Sequence, residues 1–156
     1  MAWTNSKIFR PFFADMFGNV GAFDLDTDVT RAALYNNTGT PDNDVAAALS
    51  AYNTGQWVVA NEVSEAGQWA AGGIALTSPV INVGTADVVF FDAADTVSGT
   101  AADLANVFGC LVYDDTLTTP IADQGVCYNY FGGANSVVNG TFTVQWNVLG
   151  VLRITL

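Results

Sequence analysis

Residues 135–156 read NSVVNGTFTVQWNVLGVLRITL, and from Thr141 the stretch alternates strictly. Phe142, Val144, Trp146 and Val148 fall on one side, Thr141, Thr143, Gln145 and Asn147 on the other. Successive side chains of an extended chain point to opposite faces, so a period of two marks a strand with one buried face. Asn139-Gly140 stands between Val137-Val138 and the alternating run, and Asn-Gly supplies the two positive-φ residues of a tight hairpin turn. After Gly150 the alternation resumes, with Leu152, Ile154 and Leu156 opposite Val151, Arg153 and Thr155. The stretch predicts a hairpin and a last strand, both set in a sheet.

Upstream of it, strands are expected at Ile74–Ser78, Val80–Val83, Ala86–Asp92, Val107–Tyr113 and Val126–Phe131, punctuated by Pro79, Gly84, Gly99, Pro120, Gly125, Gly132 and Gly133. Short strands with such turn signals predict a mainly β fold, an antiparallel sandwich or barrel. Between them, 92–106 reads as a loop with one helical turn at 101–106. Residues 20–35 read as one or two strands, 36–41 as a turn-rich loop, and 56–72 as a strand followed by a packed loop. One short helix is expected near 43–54. Asp42 or Asn43 would cap it, VAAALSAYN would fill it with good helix formers, and Gly55 would end it.

Residues 1–18 differ from the β-rich remainder, 19–156. They carry Trp3, Ile8, Phe9, Phe12, Phe13, Met16 and Phe17, together with Lys7 and Arg10, two of the chain's four basic residues. Ile8, Phe12 and Met16 have helical spacing, provided Pro11 lies in a first turn. Such a segment either folds back on its own sheet or docks on a partner as an arm. In the arm reading the partner-binding residues are Trp3, Lys7, Ile8, Phe9, Arg10, Phe12, Phe13 and Phe17.

Composition narrows the function classes. At 156 residues, 51% of them hydrophobic, the chain reads as one well-cored domain. Charged residues make up 12%, against roughly 25% in typical soluble domains. This suggests a neutral surface covered by neighbouring subunits, hence a homo-oligomer. A net charge of −11, from 15 acids and 4 bases, repels phosphate, so no nucleic-acid partner is expected. The chain has no histidine, the usual near-neutral acid–base group and a common metal ligand. No apolar run reaches the length of about eighteen residues that a membrane-spanning helix needs. MAWTNSKIFRPFF lacks the pattern of a secretory signal, so synthesis in a cytoplasm is expected. Cys110 and Cys127 fall on separate expected strands and read as buried free thiols, with no histidine to activate them.

The remaining candidates for chemistry are carboxylates and tryptophans. Asp24, Asp26 and Asp28 form a D-x-D-x-D run, but the sixth and twelfth positions of a calcium loop would hold Val29 and Tyr35, where Gly and Glu are required. On a strand the three would share one solvated face. Asp114-Asp115 reads as a turn former at a strand end, and Asp87, Asp92 and Asp95 likewise. Trp3, Trp57, Trp69 and Trp146 read as core or subunit contacts before a sugar platform. No catalytic, cofactor-binding or metal residue is assigned, and no enzyme activity is expected.

The runs LYNNTGTPDNDVAAALSAYNTGQW (34–57), NEV (61–63), AGG (71–73), LVYDDTLTTPIADQGVCYNYFGG (111–133) and GTFTVQWNVLGVLRITL (140–156) resemble small virion structural proteins of tailed bacteriophages. The likeness lies in texture and turn sequences from Leu34 onward, is closest to capsid decoration (cement) proteins, and transfers no functional residue. It implies a non-enzymatic role on the outside of the virion's shell, with the major capsid protein or another virion subunit as partner. A tail-tube or neck ring subunit, or a receptor- or glycan-binding virion module, would share this character.

Overall fold

The computed structural model describes residues 3–83 and 87–156. In chain order the elements are β1 (Lys7–Ile8), α1 (Arg10–Phe17), β2 (Thr30–Tyr35), α2 (Ala47–Ser50), β3 (Ile74–Ala75), β4 (Val80–Val83), β5 (Val88–Asp92), β6 (Thr96–Val97), β7 (Ala102–Asp114), β8 (Gly125–Gly140), β9 (Thr143–Val144) and β10 (Leu152–Thr155). Gly84 and Ala86, read above as a turn and a strand start, lie outside the described residues.

Two long strands carry the fold. β7 pairs antiparallel with β8 on one side and with β2 on the other, and β1 and β3 complete a five-stranded sheet of order β1-β8-β7-β2-β3. A three-stranded sheet, β10-β5-β4, and the pair β6-β9 make up the rest, and every pairing is antiparallel. The fold is mainly β, as expected. None of these sheets closes on itself, so the barrel alternative does not hold. β7 is buried from Gly109 to Asp114; it lies between β2 and β8, and Trp3 packs over Gly109. Where β8 passes Gly132 and Gly133, at φ 81° and 154°, its register against β7 shifts, as glycine at a bulge allows.

The expected C-terminal hairpin is not formed. Asn139 does take a positive φ of 45°, but Gly140 pairs with Ala102, and Thr143-Val144 pairs with Val97-Thr96. β7 already occupies β8 as far as Gly140, so the last segment finds another partner. The face assignment survives this change of partner: Phe142 and Val144 are buried and Trp146 half-buried. The one exception is Val148, which is exposed.

Three further expectations change. Residues 102–106 are strand, because Ala102 and Leu104 point into the core and Asp103 and Ala105 point out. The helix near 43–54 shrinks to Ala47–Ser50, since Ala46 and Ala51 on either side are extended and Tyr52 donates its N–H to the Asp123 carbonyl. Residues 55–61 form two short 3₁₀ turns in place of a strand, and Trp57 is buried there. Of 20–35, only β2 is strand. Asp24 to Asp28 form a turn, with the N–H groups of Thr27 and Asp28 bonded to the Asp24 carbonyl.

Candidate functional site

The N-terminal segment takes the fold-back course. Trp3, Phe9 and Phe12 are buried in the same core cluster as Phe142, Val144 and Val151. Trp3 and Phe9 meet Trp57 edge-on at 5.7 and 5.9 Å, and Trp57 meets Tyr35 at 5.1 Å, the geometry that aromatic quadrupoles favour. Trp3 donates its indole N–H to the Asn36 carbonyl at 2.9 Å. Residues 3–18 therefore pack as part of one domain with the rest. Trp3, Phe9 and Phe12 are not available to a partner in this fold, which corrects the arm reading for these three. Of the other five arm residues, Ile8 and Phe13 are half-buried, Lys7, Arg10 and Phe17 are exposed, and Arg10 pairs with Asp44 at 2.5 Å.

Helix α1 leaves work unfinished on the three-stranded sheet. By strand alternation, Ile81 and Val83 of β4, Val89 and Phe91 of β5, and Leu152 and Ile154 of β10 share one face. α1 and the turn at Phe23–Leu25 cover that face only in part, leaving an apolar cleft of 270 Å³ into which Phe12, Met16 and Phe23 also project. Around it stand side chains open to solvent: Ile81, Val83 at 85% exposure, Leu156 at 82%, and Phe17 at 80% on α1 itself.

A second groove, of 600 Å³, opens between the two larger sheets. One wall is Ser6–Ile8 of the β1 segment with Cys127–Asn129 of β8; the other is Asn147 and Leu149–Arg153, leading into β10. Lys7 and Arg153 both line it, and no acidic residue does. Among the described residues the ion pairs are Arg10–Asp44 and Arg31–Asp115. The two cations without an ion pair thus meet at the same groove, brought there from opposite ends of the chain.

The acids gather elsewhere. Asp114, at 0% exposure, ends β7. Its Oδ1 accepts the N–H groups of Thr116 and Leu117 at 3.0 and 3.1 Å, while its Oδ2 is buried without a donor beside the Asp28 carboxyl. With both groups ionised that contact has no proton, and a proton on either closes it. Burial first, and then Asp28, raise the Asp114 pKa to about 6. Thr30 lies directly across from Asp114 on β2, and Gln124 accepts the Asp114 N–H at its carbonyl on the other side, so the three side chains form one polar row across the sheet. Nearby, Asp115 pairs with Arg31 at 2.7 Å. Among the described residues no three Cys, Asp or Glu side chains converge to hold a metal ion.

The cysteines are free and buried on neighbouring strands, and burial pushes the Cys127 thiol up to about 12, which suppresses the reactive thiolate. Trp57 and Trp69 are buried, and Trp69 donates to the Ala32 carbonyl at 3.0 Å; no sugar platform is exposed at these two.

No family model, curated protein or solved structure matches the chain. The candidate site is thus defined by its surfaces: a half-covered apolar sheet face and a cationic groove. Neither was visible in the sequence. Each joins residues from both ends of the chain, and no local spacing marks Lys7 and Arg153, or Met16 and Ile154, as neighbours.

Proposed function

We propose that this protein is a non-enzymatic structural component of a bacteriophage virion, a decoration protein that sits on the outside of the capsid shell and bridges major capsid subunits. The observation that supports this reading is the apolar face of the β10-β5-β4 sheet, which α1 leaves half covered. Contiguous exposed apolar surface marks interaction sites, and fully burying one such side chain is worth about 1.5–3 kcal/mol. Much of that gain is offset by the freedom lost on association. Repetition around a shell then converts weak single contacts into firm attachment. The sheets give a stiff body, and the net charge of −11 keeps unattached copies apart.

The test is to incubate the purified protein with empty shells of the cognate phage and image them by electron microscopy. Ordered density at fixed positions over capsid subunits is the expected result. Free protein that closes into rings and ignores shells would replace this reading with a tail-tube or neck subunit.

A further inference from the structure

We propose that the groove between β1 and β10 binds an extended, carboxylate-bearing peptide segment of a partner protein, added as a strand to the open edge of β10. This does not rest on the capsid reading; it needs the groove and not the shell.

The first support is charge. A chain with 15 acids and 4 bases would be expected to surround each cation with carboxylates, and Arg10 and Arg31 are so paired. Lys7 and Arg153 are exposed, have no ion pair among the described residues, and stand on opposite walls of a groove that no acid lines. On a molecule that repels anions almost everywhere, this groove is a place where a carboxylate finds two cations and no opposing charge.

The second support is the backbone, and it selects a peptide over a small anion. β10 is the edge of its sheet, with β5 on one side only. Leu156 donates its N–H to the Asp87 carbonyl, in register with Ile154 opposite Val89 and Leu152 opposite Phe91. Antiparallel pairing alternates, so Leu152, Ile154 and Leu156 direct their backbone groups at β5, and Arg153 and Thr155 direct theirs outward. An open edge of this kind is a template for a further strand. Ser6, Asn129 and Asn147 add side-chain hydrogen-bonding groups along the groove. A free anion would use the two cations alone, whereas an extended peptide uses the cations and the edge together.

The experiment uses the full-length protein and an array of heptapeptides with Asp or Glu at every second position, read by fluorescence polarisation. A charge-reversed array with Lys at the same positions and inorganic phosphate serve as the other arms. Acidic heptapeptides should bind, the Lys array should not, and phosphate should fail to compete at matched ionic strength. The double variant Lys7→Glu/Arg153→Glu should weaken binding at least tenfold. Thr155→Pro removes only an outward N–H and should weaken binding as well with Lys7 and Arg153 intact. Both variants should keep the wild-type melting temperature, because they touch exposed side chains and a free edge. Unchanged binding in either variant, no binding by any acidic heptapeptide, or equal competition by phosphate would each overturn the proposal.

Discussion

Asp114 shows how one side chain can set a pH dependence. Two backbone donors favour its charge, while burial and the Asp28 carboxyl oppose it, and the opposing pair wins, raising the pKa from 3.8 to about 6. The folded state therefore holds the Asp114 proton more tightly than the unfolded chain does. For a group raised in this way the stabilisation is complete below the unfolded value and is lost as pH rises through the folded one, here between about 4 and about 6. Asp114→Asn keeps the oxygen that accepts from Thr116 and Leu117 and places an N–H₂ against Asp28. We expect this variant to match the wild type at pH 4 and to exceed its stability at pH 7.5 by on the order of 1–2 kcal/mol. Thermal unfolding of both proteins across that window measures it, and a constant difference at all pH values would show that Asp114 is not the group responsible. Burial also raises Glu62 and Asp123, so both add to the loss of stability as pH rises.

Among the elements, the N-terminal segment departs furthest from the arm reading, and the reason is physical. Its aromatic residues gave a correct signal that something must be covered, but Trp57 and Tyr128, against which Trp3 and Phe9 pack, are far away in sequence. Deleting residues 1–17 should accordingly abolish the cooperative unfolding transition, since it removes β1 and three buried aromatic rings from the core. Trp3→Ala alone should cost about 3–5 kcal/mol, read by denaturant titration; a loss below about 1 kcal/mol would mean that the segment is only laid on the surface. Local pattern was legible where it decided the outcome. β4 runs Val80–Val83 as the flanking Pro79 indicates, and Phe142 and Val144 face inward as the alternation from Thr141 indicates. Pattern fell short where pairing decided, as with the missing hairpin at Asn139-Gly140 and the helical turn expected at 101–106. A strand's partner is chosen by what else competes for the edge, and β7, longer than its apolar centre implied, had already taken it.

Taken whole, the two proposed contact surfaces should respond oppositely to salt. Contact through the apolar face of the β10-β5-β4 sheet must bring together bodies of net charge −11, and added salt screens that repulsion, with a Debye length near 10 Å at about 0.1 M falling to about 3 Å at 1 M. Contact through the Lys7–Arg153 groove relies on attraction, which the same screening weakens. Self-association followed by sedimentation velocity should therefore strengthen from 20 mM to roughly 500 mM salt, over which screening removes most of the long-range repulsion. Val83→Asp places a charge on a side chain 85% exposed, so it should leave the melting temperature unchanged, yet it should suppress that association at every salt concentration. Acidic-peptide binding should weaken over the same salt series and be indifferent to Val83→Asp. If association instead weakens with salt and vanishes in Lys7→Glu/Arg153→Glu, copies meet through the groove, and the half-covered sheet face is not the surface by which this molecule adheres.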